Sequence, residues 1–184
     1  MSASLKLVRA AGAVLAAVAA LALPASVAAA EDARADQIKA AYLFNFVKFV
    51  EWPAGALHEA IEICFAGAPG VHKSLQGAAG DKRIGSRRVA VRALTNVESL
   101  GSCAVVYIAE DAATNEQLLV QARVTSLTVS DAANFTRRGG AIQLFTEENR
   151  LRFVVNVENA RRAGLRISSN LLKLASNVEQ DGAP

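Results

Sequence analysis

The sequence has few residues of the kinds that build metal or nucleophile sites: two His and two Cys in 184 residues. His58 and His72 are too far apart to form a helical ligand pair, and no two Cys lie at zinc-finger spacing. No Ser occupies a Gly-x-Ser-x-Gly elbow. Cys64 and Cys103 are conceivable nucleophiles, but both border apolar strands, where a thiol is usually inert. The sequence therefore favours a protein that is not an enzyme and needs no metal or cofactor.

Only one long apolar run occurs, at the start of the chain. Ala10–Leu23 is uncharged, follows the bases Lys6 and Arg9, and leads to small residues that end at Ala30. This order is typical of a secretory signal peptide. The run is shorter than the ~20 residues that span a bilayer, although a retained membrane anchor is the alternative. We expect residues 1–30 to be cleaved near Ala30 and the protein to be exported to the periplasm.

No large excess of charge remains once that segment is removed. Without Lys6 and Arg9, 18 basic residues stand against 17 acidic ones. A nearly neutral chain argues against nucleic acid as its main partner. No linker rich in Pro, Gly or Ser divides the remainder, whose length suits one domain. We expect one domain over residues 31–178 and a disordered tail over residues 179–184.

The hydrophobic pattern alternates between the periods of strands and helices. Alternating units that end in a hairpin predict a single-domain α/β sandwich, with a mixed, mostly parallel sheet flanked by helices and a C-terminal hairpin. The predicted strands are Glu59–Phe65, Arg88–Ala93, Ala104–Ala109, Val124–Val129, Ala141–Phe145 and Leu151–Val157. The predicted helices are Asp32–Trp52, Val71–Gln76, Thr114–Ala122 (with Thr114 as N-cap), Asn159–Ala163 and Asn170–Asn177, the last with Leu171, Leu172 and Leu174 facing the core.

The two cysteines allow one intramolecular pairing, Cys64–Cys103. An oxidising compartment favours the bond. The geometry leaves the question open, because Cys64 lies late in its strand and Cys103 precedes the strand that follows. Parallel neighbours in simple register could hold the two Cα atoms beyond the ~7 Å limit for a disulfide.

Two further stretches could bind a ligand. Five bases fall within eleven residues, at Lys82, Arg83, Arg87, Arg88 and Arg92. They could bind an anion, an acidic partner or lipid headgroups, or they could be the solvated face of an edge strand. The turn Gly67–Gly70 links a strand to a helix and could hold an anion, or it could simply be a turn.

Four segments together resemble the YfiR family of periplasmic proteins. Ile38–Pro53 has the sequence IKAAYLFNFVKFVEWP, and Gly139–Leu144 has GGAIQL. Arg152–Val157 has RFVVNV, and Gly164–Ala175 has GLRISSNLLKLA. The resemblance extends from about Ile38 to Val178, with the more specific motifs at its two ends.

The resemblance implies regulation rather than catalysis. YfiR-like proteins bind the periplasmic sensor region of an inner-membrane diguanylate cyclase and repress it, which lowers cyclic-di-GMP and biofilm formation. An outer-membrane lipoprotein can sequester the repressor. The family also implies a homodimer and disulfides, of which Cys64–Cys103 matches one. A second bridge is absent here, because Ala141–Val157 contains no Cys.

We assign the partner-binding surface to the C-terminal region, where apolar and basic residues are combined. The candidate residues are Phe153, Arg161, Arg162, Arg166 and Lys173. The alternative is that Phe153 belongs to the core and the bases are ordinary solvated surface. The alternative function is a periplasmic small-ligand binding module that serves another membrane signalling protein.

Overall fold

The computed structural model describes residues 23–53, 55, 57, 59–112 and 116–180. The predicted signal peptide lies largely outside these residues, as do His58 and Thr114. The chain divides into two compact units, residues 1–36 and residues 37–184. In the part that the structure describes, no helix combines the length and apolarity needed to cross a bilayer.

The helices and strands alternate as the sequence predicts. The helices are α1 Leu23–Lys48, α2 Pro69–Ala79, α3 Glu116–Ala122, α4 Val157–Arg162 and α5 Ser169–Leu172. The strands are β1 Val50–Glu51, β2 Ala60–Ala66, β3 Arg83–Ile84, β4 Arg87–Ala93, β5 Cys103–Ile108, β6 Leu127–Ser130, β7 Ile142–Glu147, β8 Arg150–Asn156, β9 Arg166–Ile167 and β10 Asn177–Glu179. Short 3₁₀ turns cover Val97–Leu100 and Glu110–Ala112.

Eight strands form one sheet in the order β10-β8-β7-β6-β5-β2-β4-β3. The five strands from β7 to β4 are mutually parallel, whereas β8 runs antiparallel to β7 and β3 runs antiparallel to β4. The edge strand β10 is parallel to β8. The α/β class and the mixed, mostly parallel sheet are therefore confirmed. From β2 the chain crosses to β4 on one side, and β5 then lies on the other side of β2, so the strand order reverses between β2 and β5.

Alternate residues of the central strands face two separate cores. Ile63 and Phe65 of β2 pack with Val71 and Leu75 of α2 and with the buried residues of α1 from Ala40 onward. Cys64 and Ala66 of β2 face the other side, where Leu118 and Ala122 of α3 cover them. The sheet is therefore covered on both faces.

Several predicted boundaries are wrong: the first helix begins at Leu23 rather than Asp32, and the strand predicted from Val124 begins at Leu127. Three further differences lie where distant segments pair. The first helix ends at Lys48 rather than Trp52, because Val50–Glu51 pairs with Arg166–Ile167 in a separate two-stranded sheet. The last helix ends at Leu172, so Leu174 does not face the core and is 68% exposed.

The third difference concerns the residues after that last helix. Asn177–Glu179, assigned in part to that last helix, instead forms β10 and pairs in parallel with Val154–Asn156. Glu179, placed by the sequence at the start of a disordered tail, therefore ends a strand. Residues 181–184 lie outside the described residues.

Candidate protein-interaction surface

Three of the predicted partner-binding residues lie on consecutive elements near the C-terminus. Arg161 and Arg162 end α4, and Arg166 begins β9 after the turn at Gly164. The side chains of Arg161 and Arg166 are 66% and 84% exposed. Their ion pairs with Glu158 (3.1 Å) and Glu51 (3.8 Å) are weak at such exposure, so both guanidinium groups remain available to a partner.

Arg162 is exposed as well, but its Nη1 donates to Oδ1 of Asn159 at 2.9 Å. Asn159 is buried, and its amide donates to the carbonyl oxygens of Thr136 and Gly140 at 2.8 Å each. The position of Arg162 is thus coupled to a buried hydrogen-bond network. Its role includes holding α4 against the loop after β6.

Phe153 lies in the core and is only 4% exposed. Its ring packs edge-to-face against Tyr42 and Phe46 of α1, with centroids 5.9 and 5.2 Å away. Aromatic contacts of this geometry stabilise the packing beyond the area that they bury. Phe153 therefore packs beneath the surface, and its side chain is almost entirely shielded from solvent.

Lys173 is exposed and stands beside Leu174, the most exposed large hydrophobic residue in the described part of the chain. Leu174 lines a shallow groove of about 390 Å³ between α1 and the β7–β8 hairpin. We call this the α1–hairpin groove, and its lining residues are Ile38, Tyr42, Asn149, Arg150, Leu151, Arg152, Phe153 and Leu174. Ile38, on its rim, is 39% exposed.

Local sequence explains how the groove forms. Tyr42 anchors α1 to the hairpin, because its hydroxyl donates to the carbonyl oxygen of Leu151 at 2.9 Å. Ile38 lies one helical turn earlier, where no strand covers it. The hairpin turn has Glu148 and Asn149 at φ of 48° and 61°, as the tight turns of twisted hairpins require. Arg150 follows directly and is exposed beside the apolar floor.

Sequence reasoning missed Ile38 and Leu174 as surface residues. Both fit the apolar spacing of a core-facing stripe, and nothing in the local pattern separates them from their buried neighbours. Only the basic residues near the groove indicated, from the sequence alone, that this region could bind a partner. An apolar floor with basic side chains at its rim is the composition expected of a protein-binding surface.

The two cysteines form a disulfide on the face of the sheet that α3 covers. Their Cα atoms are 5.8 Å apart, within the range that a disulfide spans. The register shifts by one residue between Glu62, opposite Cys103, and Ile63, opposite Val105. Because of this bulge, the Cα atoms of the two cysteines lie closer together than simple register would place them.

Arg92 packs against this bond. Its guanidinium donates to Oε2 of Glu62 at 2.8 Å, to the carbonyl oxygen of Ser99 at 2.7 Å and to Sγ of Cys103 at 3.2 Å. Glu62 and both sulfurs lie close enough to hold a metal ion. Because the sulfurs are bonded to each other, they are not thiolate ligands, and we assign the cluster a structural role.

A second cavity, of about 460 Å³, lies at the carboxyl ends of β2 and β4. Its apolar floor includes Leu94 and Leu118, and Asn96 and Glu98 lie at its rim. Crevices at this edge of a parallel sheet, where the strand order reverses, are common ligand sites.

A carboxylate oxygen of Asp111 lies within 2.9 Å of the position that a Cβ on Gly67 would occupy, which disfavours an anion at the Gly67–Gly70 turn.

Comparison with known proteins identifies a family and several similar solved structures. Residues 36–176 match the model of a family described as YfiR/HmsC-like. No curated protein matches. A crystal structure of a conserved domain protein from Vibrio cholerae O1 biovar El Tor is 13% identical, with a TM-score of 0.49 over 78% of this chain. The aligned part is about 60% of that protein's own length.

Proposed function

The chain belongs to the YfiR/HmsC-like family, and we propose that it represses an inner-membrane diguanylate cyclase by binding the cyclase's periplasmic sensor region. The family suggests a periplasmic regulator of cyclic-di-GMP signalling. Repression lowers cyclic-di-GMP and therefore biofilm formation. The match over residues 36–176 is the observation that carries this proposal.

The α1–hairpin groove is the surface that we propose for the sensor region, and the C-terminal bases are further candidate contacts. Leu174 and Ile38 offer apolar area that a partner can bury, which is the main source of binding free energy. Arg150 and Lys173 adjoin this apolar area, whereas Arg166 lies beside Glu51, past the other end of α1. An acidic, amphipathic segment of the sensor region is the complementary partner.

Deletion of the gene tests the function in cells. We expect deletion to raise cyclic-di-GMP and surface attachment, and the wild-type gene to restore both. The Leu174→Asp gene should not restore them, whereas Val120→Asp should, because Val120 is also exposed (49%) but lies on α3, away from the groove. Unchanged cyclic-di-GMP on deletion would contradict a cyclase partner.

We also propose that the protein works as a homodimer and that an outer-membrane lipoprotein can sequester it. Light scattering on the purified protein measures the oligomeric state. If Leu174→Asp converts a dimer to a monomer, the groove is the dimer interface and not the site for the sensor region. If the variant stays dimeric and loses only the cyclase, the assignment of the groove holds.

The second candidate function is a periplasmic small-ligand binding module, and the cavity at the carboxyl ends of β2 and β4 favours it. The carboxylates of Glu98 and Asp111 nearby suit a ligand with an amino group. Phenethylamine and phenylacetate share a ring but carry opposite charge, so they form a matched pair of probes. A rise in melting temperature with the amine alone supports this function. No rise with either probe counts against it.

A further inference from the structure

The proposed function does not use the basic residues at the other edge of the sheet. β3 and β4 form a hairpin at the edge opposite β8 and β10, closed by Gly85 and Ser86. Six inter-strand steps separate β3 from β8, which is roughly 29 Å at the usual strand spacing. Both edges can therefore be occupied at once.

Five exposed cations gather at this hairpin, and we call them the basic patch. They are Lys48, Lys82, Arg83, Arg87 and Arg88. The ammonium groups of Lys48 and Lys82 lie 4.7 and 5.5 Å from the centroid of the same ring, that of Phe44. The end of α1 thus adds one cation to the four of the hairpin.

The strand pairing places like charges opposite each other. Arg83 is the direct antiparallel partner of Arg88, an arrangement that opposes hairpin formation. Arg83 is held in place by donating to the carbonyl oxygen of Ser86 at 2.6 Å. Among the described residues, no carboxylate is within ion-pairing distance of Lys48, Lys82, Arg83 or Arg88. An external anionic surface would relieve this repulsion.

We propose that the basic patch docks the protein on an anionic lipid bilayer. The composition of the patch favours lipid over a protein partner, because a protein interface needs an apolar centre. None of the exposed large hydrophobic residues of the described chain belongs to this hairpin, and the apolar side chains nearest to it, such as Trp52 and Ile84, are recessed in a cavity of about 370 Å³ between Lys48 and Arg87. Cations spread over an exposed hairpin match a diffuse layer of headgroups, to which each Lys or Arg adds attraction.

Docking on the bilayer would confine the protein to the membrane surface. The α1–hairpin groove at the opposite edge would then remain open to a membrane-bound partner. The inference does not depend on the proposed function, because lipid affinity can be measured without the cyclase.

Co-sedimentation with vesicles tests the proposal on the full mature chain. The vesicles are pure phosphatidylcholine, or phosphatidylcholine with one-third phosphatidylglycerol. We expect binding to the second kind alone, and release in about 0.5 M NaCl, where charge interactions are screened within a few ångströms. Equal binding to both kinds, or none to either, would overturn the proposal.

Matched variants locate the contact. Arg83→Gln/Arg88→Gln removes two cations and should lower the partition coefficient about 25-fold, at about fivefold per charge. Arg150→Gln/Lys173→Gln removes the same charge beside the α1–hairpin groove and should change it less than about twofold. Unchanged melting temperatures verify that both variants fold. An equal loss in the two variants would mean that only net charge matters and would refute the site.

Two further experiments distinguish binding to lipid from binding to other anions. Inorganic phosphate at constant ionic strength should not displace the protein from vesicles; displacement would reveal a single-phosphate site. Poly-glutamate should bind more weakly than the anionic vesicles. Binding to poly-glutamate without binding to vesicles would assign the basic patch to an acidic protein and overturn the lipid proposal.

Discussion

Removing the disulfide should cost the protein a large share of its stability. Cys64 and Cys103 are separated by 39 positions, so the bond closes a ring of roughly 40 residues. The chain-entropy relation for a ring of that size gives a stabilisation of about 4 kcal/mol. Since domains have unfolding free energies of about 5–15 kcal/mol, the reduced protein should be marginal.

The cost of removing the disulfide is measured with three samples: oxidised wild type, wild type in the presence of reductant, and Cys64→Ala/Cys103→Ala. Urea unfolding followed by circular dichroism gives the free energy of unfolding of each. The reduced protein and the double variant should both fall below the oxidised protein by about 4 kcal/mol, with melting temperatures lower by about 8–16 °C. Agreement between those two samples shows that the cross-link, rather than the thiols, is responsible.

Two results would refute this reasoning. One is a difference below about 1 kcal/mol, which would mean that the ring does not constrain the unfolded chain. The other is two titratable thiols in protein unfolded without reductant, which would mean that the bond does not form.

Four further substitutions test the packing. Gly140→Ala should destabilise by about 1–3 kcal/mol or more, because the new Cβ would lie 2.1 Å from the buried ring of Phe135. Gly77→Ala, where a Cβ meets nothing within 4 Å on α2, should instead stabilise by up to about 1 kcal/mol; the same urea titration measures both, and equal signs would contradict the geometry. Arg92→Leu should cost about 1–2 kcal/mol, because it removes the guanidinium that donates to Glu62 and to the Ser99 carbonyl; a neutral result would show that water replaces it. Lys39→Met should cost at most about 1 kcal/mol, because the ion pair with Asp131 is partly exposed, and a larger loss would mean that α1 depends on this contact.

The sheet could be predicted from sequence because its strands have strong local signals. The run Ala104–Ala109 is uninterrupted and apolar, and it became β5 with a shift of one residue. The hairpin of β7 and β8 was also predicted, since two apolar segments flank a short polar turn.

The errors arose where distant residues decide the local structure. The helical spacing of apolar residues continues past α1 to Trp52, but Val50 pairs with Ile167 far along the chain. Leu174 fits a helical stripe, yet α5 stops at Leu172 and the chain turns toward β10. The bulge that lets the cysteines meet depends on the register of two strands, which no local pattern specifies.

The account depends most on the claim that this protein represses a membrane diguanylate cyclase through the α1–hairpin groove. The direct measurement is cyclic-di-GMP synthesis by the full-length cyclase in membranes, with increasing amounts of the purified protein on the periplasmic side. Wild type and Val120→Asp should inhibit to the same saturating extent. Leu174→Asp should need about 30-fold more protein, the effect of losing an interface hot spot. Synthesis that is unaffected by saturating wild-type protein would contradict the account.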